Sequence, residues 1–144
     1  MDLILDKVSK RFKGCTAVDD VSMEMASGVY GLLGANGAGK TTLMRMICTI
    51  LRPDEGSIVY RGEDIFEMDR RYRDLLGYLP QEFGFYPELT VVDYLKYIAA
   101  LKGLRRGAAA ERISDLLAVV GMADNAHKKM KQLSGGMKRR VGIA

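Results

Sequence analysis

The sequence has little of several residue types on which common kinds of site depend. It contains no tryptophan, one histidine and two cysteines among 144 residues. Cys15 and Cys48 have neither the spacing of a zinc site nor that of a redox motif, and both are consistent with a reducing compartment. His127 lies in a polar stretch beside Lys128, where an exposed side chain is the more frequent outcome. The composition therefore disfavours disulfide scaffolds, zinc sites and histidine catalysis.

Long apolar runs are absent as well. No stretch approaches the roughly 20 apolar residues that a membrane-spanning helix needs. Asp2 and Asp6 flank the apolar residues 3–5, which is unlike a signal peptide. The formal net charge of +4 suits a protein that holds polyphosphate, and it would also fit weak contact with nucleic acid or an anionic membrane. We therefore expect one domain with a core of its own, with any membrane part supplied by another chain or another segment.

A glycine-rich run with the spacing G-x-x-x-x-G-K-[ST] stands out against these absences. Its glycines allow the backbone to curl until successive N–H groups face an anion. Lys40 adds a positive charge for the β- and γ-phosphates, and Thr41 offers a hydroxyl to Mg²⁺. The sequence therefore predicts a phosphate loop for a nucleoside triphosphate. Its residues are Gly34, Ala35, Asn36, Gly37, Ala38, Gly39, Lys40, Thr41 and Thr42.

The flanking segments have the pattern that such a loop requires. Residues 29–33 form a short apolar run, which is typical of a buried parallel strand. After the loop, apolar residues recur at helical spacing as far as Leu51, and Pro53 predicts that the helix ends near Arg52. This helix would direct the positive end of its dipole at the phosphates.

The rest of the chain alternates between predicted strands and helices. Residues 2–33 favour strands, and residues 77–79 favour another short one. Thr90 and Asp93 have the spacing of a capping box at the start of a helix, and a second helix is predicted over 108–120.

A second glycine-containing motif, Leu133-Ser134-Gly135-Gly136-Met137, begins the last predicted helix. By itself the motif is weak, because Ser134 is an ordinary helix cap. Bare glycines at a helix N-terminus nevertheless let a phosphate approach closely. The motif cannot easily reach the phosphates held by the chain's own phosphate loop, because about fifty residues of predicted helical insert intervene, and this suggests that it binds phosphate across a dimer.

With the phosphate loop upstream, the whole chain resembles the nucleotide-binding domain of ATP-binding cassette (ABC) proteins. The matches are a Walker A loop at 34–42, a Q-loop at Gln81 and an LSGGQ-like signature at 133–137, in the family's order. The resemblance implies an α/β fold of the P-loop NTPase, ABC ATPase type, with an N-terminal antiparallel β subdomain and an inserted α-helical subdomain.

The same resemblance implies how the chain is divided. Residues 1–144 would be a partial ABC ATPase domain, with the nucleotide-binding core at about 1–82 and the helical subdomain at about 83–134. Residues 133–144 would hold the signature and the start of the following helix. The C-terminal part of the core would be absent.

The resemblance also implies the roles of individual residues toward ATP and Mg²⁺. Phe12 would stack on adenine, where the family more often has Tyr. Lys40 would bind the β- and γ-phosphates, while Thr41 and Gln81 would approach Mg²⁺. Gln81 would also position the attacking water.

The signature implies a second copy of the same or a related domain, in a head-to-tail dimer that closes over two ATP molecules. Ser134, Gly135 and Gly136 would meet the γ-phosphate that the partner holds. Met137 departs from the family's usual Gln and cannot make the hydrogen bonds of an amide, so one polar contact at the dimer interface is in question.

A membrane-spanning permease subunit is the other implied partner, so the protein is expected at the cytoplasmic face of the membrane. Residues 83–120 match the subdomain that faces the permease, and Phe83, Phe85 and Tyr86 would line a groove for it or anchor a core. The lysines and arginines of 128–140 favour a solvated face, and no nucleic-acid partner is expected.

The chain lacks an apolar run that ends in Asp-Glu, the pattern of the Walker B strand and catalytic Glu. We therefore expect residues 1–144 alone to bind nucleotide weakly without hydrolysing it, whereas the full-length protein would be an ATPase. Three functions follow: the ATP-binding subunit of a bacterial transporter, specifically an exporter; a soluble ABC ATPase acting on ribosomes or nucleic acid; and a truncated nucleotide-binding module. The insert contains neither coiled-coil heptads nor zinc-type cysteines, which favours the transporter.

Overall fold

The computed structural model describes residues 2–81 and 83–144, and the chain divides into two compact units between residues 78 and 79. The first unit contains a four-stranded antiparallel sheet in the order β2-β1-β3-β4. The strands are β1 (Leu3–Phe12), β2 (Cys15–Met25), β3 (Glu55–Tyr60) and β4 (Glu63–Asp64). β1 is central, since Leu5 lies opposite both Met23 of β2 and Ile58 of β3. The expected N-terminal antiparallel β subdomain is confirmed.

Three helices accompany this sheet: α1 (Lys40–Ile47), α2 (Ile65–Met68) and α3 (Arg70–Arg73). The core of the first unit consists of apolar side chains from the sheet and from these helices, so α1 is anchored through its apolar face. The buried residues are Leu5, Val8, Val18, Leu43, Met46, Ile58, Ile65 and Tyr72.

The predicted parallel strand at 29–33 is wrong for the described part of the chain. These residues are not in a strand, and Val29 and Leu33 are 103% and 92% exposed. A parallel strand needs hydrogen-bonded neighbours and covered faces, and no described segment pairs with this one. The strand predicted at 77–79 does not form either, for the same reason.

α1 also ends five residues earlier than predicted. Cys48 caps the helix, and Thr49 takes a positive φ of 56°. The N–H groups of Thr49 and Ile50 donate to the carbonyls of Met46 and Arg45 at 3.0 and 2.9 Å, which is the Schellman pattern. Because this turn satisfies the last carbonyls, the helix stops well before Pro53.

The second unit is helical, with α4 (Val91–Leu101), α5 (Arg106–Val119) and α6 (Gly135–Ile143). Short 3₁₀ turns at Ala123–Asn125 and Met130–Gln132 lie between α5 and α6. Thr90 caps α4 as predicted, because its Oγ1 accepts from Asp93 N–H at 3.2 Å. The Asp93 carboxylate accepts from the Thr90 hydroxyl at 2.6 Å and not from the Thr90 N–H, so the reciprocal bond of a capping box does not form.

The core of the second unit draws on all three helices and on the segment before α6. Among the described residues, no helix combines the length and the apolar character needed to cross a bilayer. The buried residues are Val91, Tyr94, Leu95, Ala99, Ala109, Ile113, Leu117, Met122, Met130, Leu133 and Val141.

Candidate functional site

The phosphate loop, residues 34–42, lies in the first unit, between the exposed segment 29–33 and α1. Gly37 and Gly39 have φ values of 87° and 80°, in the left-handed region that favours glycine. At Gly39 a second constraint applies, because a Cβ there would overlap the backbone carbonyl of Ala17 on β2. The loop therefore needs glycine at Gly39 for both its backbone angles and its packing.

The first turn of α1 leaves its backbone donors open. Gly39 is the N-cap residue and has no side chain to bond the N–H groups that follow. Within the described residues, the N–H groups of residues 39–42 make no hydrogen bond to backbone or side chain. Four open donors at the positive end of a helix dipole, on a helix anchored through Leu43 and Met46, form a site that favours an anion.

Lys40 lies across this loop. Its Nζ donates to the carbonyls of Gly34 at 2.7 Å and Ala35 at 2.6 Å. In the described chain no carboxylate pairs with this ammonium group. A full positive charge held by two neutral acceptors remains available to neutralise an incoming anion, as phosphate binding requires.

Thr41 follows at the second position of α1 and is exposed. Its hydroxyl makes no hydrogen bond within the described residues, so the oxygen is available as a ligand. A hydroxyl oxygen next to a phosphate site fits Mg²⁺, which takes oxygen ligands and is usually bound together with substrate phosphates.

Phe12 lies at the last position of β1, opposite Cys15 of β2, and its side chain is 49% exposed. Ala17, whose carbonyl faces Gly39, is two residues further along β2, about 7 Å at the usual rise of a strand. The hairpin that carries Phe12 is thereby brought to the phosphate loop. The exposed ring is available for stacking.

The other predicted site residues belong to the second unit. Gln81 is exposed and lies in an irregular segment at the beginning of this unit. Ser134 caps α6, with its Oγ accepting from Met137 N–H at 3.3 Å. Gly135 and Gly136 are exposed, and a Cβ on either would meet no described atom within 4 Å.

The packing of Met137 accounts for its departure from the family pattern. Its side chain is half-buried and packs against the core of the second unit. An apolar side chain at this place therefore contributes to the anchoring of α6, where an amide would need hydrogen-bond partners.

Sequence reasoning missed two contacts near the predicted site. Gly142 of α6 faces Leu79 and Phe83, since a Cβ there would lie 2.8 and 2.9 Å from their side chains. Lys138 lies over the ring of Phe85 at 4.7 Å, and Phe83 and Phe85 meet edge to face. The i, i+4 spacing of Lys138 and Gly142 was the available signal, and these contacts favour the anchoring role for the two phenylalanines.

The third missed feature is a pair of charged residues beside Phe12. Lys10 Nζ lies 2.6 Å from the Asp54 carboxylate and 5.9 Å from the centroid of the Phe12 ring. The sequence gives no sign that Asp54 meets Lys10, which is 44 residues away.

Comparisons with known proteins agree over nearly the whole chain. A family model described as ABC transporter matches residues 18–144. The uncharacterized ABC transporter ATP-binding protein YhaQ of Bacillus subtilis is 38% identical over 140 residues, which cover 96% of this chain and 46% of that protein. The methionine import ATP-binding protein MetN 2 of Salmonella choleraesuis is 37% identical, covering 97% and 43%.

Two further matches extend this result. The probable multidrug ABC transporter ATP-binding protein YbhF of Escherichia coli is 38% identical, covering 99% of this chain and 25% of that protein. A solved structure of a putative ABC transporter ATP-binding protein from Pyrococcus furiosus superposes with a TM-score of 0.81 at 31% identity, covering 99% and 68%. The chain thus spans less than half the length of these three curated relatives.

Proposed function

The chain belongs to the ABC transporter family, and from that premise we propose that its protein is the ATP-binding subunit of a transporter. ATP binding and hydrolysis would drive the movement of substrate by a separate membrane subunit. The observation that supports this most directly is the phosphate loop. There the Lys40 ammonium group bonds two backbone carbonyls and no carboxylate among the described residues, and the first N–H groups of α1 are open.

In this proposal, different residues of the chain contact different parts of the nucleotide. The N–H groups of residues 39–42 and Lys40 receive the β- and γ-phosphates, and Phe12 stacks on the base. Thr41 and Gln81 hold Mg²⁺, which when bound neutralises phosphate charge. These donors fit the group, because hydroxyl and amide oxygens are ligands that Mg²⁺ accepts.

Hydrolysis belongs to the full-length protein, where Gln81 positions water and Mg²⁺. Residues 1–144 contain no apolar run ending in Asp-Glu, so we propose that this part alone binds nucleotide without hydrolysing it. Release of phosphate from ATP by purified residues 1–144 would contradict this part of the proposal.

Two protein partners complete the proposal. Ser134, Gly135 and Gly136 meet the γ-phosphate held by a second copy of this or a related domain. A permease subunit places the protein at the cytoplasmic face of the membrane. The relatives' names include both a methionine importer and a probable multidrug transporter. We propose export, on the resemblance of residues 34–42 and 51–56 to export cassettes, and a transport assay in vesicles tests the direction.

Replacement of Lys40 tests the proposed ATP site. In the full-length protein with Mg²⁺, Lys40→Ala is expected to weaken ATP binding about 10- to 100-fold, because it removes a charge-assisted contact to phosphate. The measurement is calorimetric titration with ATP. Lys102→Ala is the matched control, since Lys102 is exposed and lies at the end of α4 in the other unit. Equal affinity of the Lys40→Ala variant and the wild type would overturn the proposal.

A further inference from the structure

We propose that Lys10 and Asp54 form a clamp that positions Phe12 for stacking on the nucleotide base. The inference rests on the proposed function, because it concerns how the same site holds its base. Lys10 is a positioning residue in this proposal: it acts through the Phe12 ring and not through the phosphates. We call the pair the Lys10–Asp54 clamp.

The clamp brings together a ring, a cation and a carboxylate. Lys10 and Phe12 are two residues apart on β1, and their side chains lie beside each other. The Lys10 side chain is only 14% exposed, although lysine is normally a freely moving surface residue. Its Nζ lies 5.9 Å from the centroid of the Phe12 ring, within the range of a cation–π contact.

Asp54 fixes the position of Lys10. One carboxylate oxygen accepts from Lys10 Nζ at 2.6 Å, and the other accepts from the backbone N–H of Arg11 at 2.7 Å. The backbone N–H of Asp54 donates to the carbonyl of Ser9 at 2.9 Å. Three hydrogen bonds therefore tie one residue to three successive positions of β1, immediately before Phe12.

The charges of the clamp are complementary at neutral pH. The hydrogen bond from Lys10, and then that from Arg11 N–H, holds the pKa of the Asp54 carboxyl below its usual value. The Asp54 carboxylate is therefore ionised at neutral pH, and it holds Lys10 beside the ring there.

The clamp also joins two parts of the proposed nucleotide site. Asp54 lies in the segment that follows α1, the helix that begins at the phosphate loop, and Phe12 lies at the end of β1. A cation fixed near the ring restricts the ring's rotation and leaves its exposed surface for a base. Because stacking tolerates any base, the clamp should support ATP and GTP alike and should have no effect on a ligand without a base.

The test compares Lys10→Met with Arg11→Met in the full-length protein. Both replacements remove one positive charge and one ion pair from adjacent positions of β1, since Arg11 pairs with Glu55 at 2.6 Å. Calorimetric titrations with ATP, GTP and inorganic tripolyphosphate, each with Mg²⁺, separate the base from the phosphates. We expect Lys10→Met to weaken the binding of ATP and of GTP about 2- to 5-fold and to leave the affinity for tripolyphosphate unchanged. Arg11→Met should leave all three affinities unchanged.

Three more variants test the route of the effect. Lys10→Arg keeps the cation and should retain ATP affinity within about twofold. Asp54→Asn should reproduce the selective loss, because the neutral amide holds the ammonium group less strongly. In a Phe12→Ala background, Lys10→Met should have no further effect on ATP, since the ring through which it acts is gone.

The outcomes distinguish this inference from the proposed function. Equal loss for ATP and tripolyphosphate in the Lys10→Met variant would overturn the clamp, because the effect would then be one of charge or folding. Unchanged ATP affinity in that variant would also overturn it, while leaving the proposed function intact. If the wild-type protein bound neither ATP nor tripolyphosphate, the proposed function would fail and the clamp with it.

Discussion

Two helix starts that carry glycine, at α1 in the first unit and at α6 in the second, are built in opposite ways. At α1 the cap is Gly39, which has a positive φ and no capping side chain, and its missing Cβ is replaced by the Ala17 carbonyl. At α6 the cap is Ser134, whose Oγ bonds the Met137 N–H, and the two glycines that follow have open space around them.

The difference separates glycines that the fold requires from glycines that it does not. Gly39 is fixed by its own unit, through backbone angles and packing, before any ligand is considered. Gly135 and Gly136 have no such constraint in the described chain. Glycine in a helix costs stability relative to alanine, so their presence is better explained by something that approaches α6 from outside its unit. The proposed phosphate of a second domain is such a group.

The largest expected effect is that of Gly39→Ala. Position 39 has a left-handed backbone conformation, which alanine disfavours. The new Cβ would also overlap the Ala17 carbonyl. We expect a loss of about 2 to 4 kcal/mol in the free energy of unfolding, measured by urea titration. The control is Gly37→Ala, which has a similar φ of 87° but no described atom within 4 Å of the new Cβ. It should lose only about 1 to 2 kcal/mol. Equal losses at the two positions would show that packing on β2 is unimportant.

Gly136→Ala is expected to have the opposite effect on stability. A methyl group enters open space within α6, so the free energy of unfolding should stay constant or rise by up to about 1 kcal/mol. ATP hydrolysis by the full-length protein should fall about tenfold or more, because the methyl group displaces the partner's phosphate. A stable variant with unchanged hydrolysis would show that function does not require this glycine. The contrast drawn between the glycines of α1 and those of α6 would then fail.

The smallest expected effect concerns acid and the segment that leads into α6. Glu88 accepts hydrogen bonds from Lys131 at 2.7 Å and from Lys129 at 3.0 Å. These bonds hold the pKa of Glu88 below the usual 4.5, and the bond from Lys131 has the larger effect. A lowered pKa contributes stability above the unfolded-state value, and that contribution is lost as the pH falls through the folded-state value. The unfolding temperatures of wild type and Glu88→Gln should therefore differ at pH 7, and the difference should shrink as the pH falls below 4.5.

Glu111→Gln is the matched control for the acid experiment, because Glu111 is exposed on α5 of the same unit. This variant removes a carboxylate that forms no ion pair among the described residues, so it isolates the part of the effect that belongs to the ion pairs of Glu88. The contact between Gly39 and Ala17 contains no titratable group, so the start of α1 should be insensitive to acid in this range. A Glu88→Gln difference that does not shrink as the pH falls below 4.5 would show that the ion pairs do not stabilise this segment.

Local sequence patterns predicted much of the fold. They failed where a segment depends on hydrogen-bonded neighbours from elsewhere in the chain. Thr90 predicted the start of α4 correctly, because a side-chain cap satisfies a helix N–H group within one turn. The apolar residues 29–33 predicted a strand that does not form, because a strand depends on neighbours that the described chain does not supply. The early end of α1 was missed because its Schellman turn places a threonine, Thr49, at a positive φ where glycine is the usual residue.

For the candidate site, the features that could be predicted are those whose interacting residues lie close together in the sequence. The sequence by itself determined the phosphate loop, the cap at Ser134 and the family resemblance, because these depend on residues within a few positions of one another. Only the tertiary structure decided that the Ala17 carbonyl fills the place of a Gly39 side chain and that Asp54 holds Lys10 beside Phe12. Those contacts join residues 22 and 44 positions apart, and packing, which no local pattern encodes, brings them together.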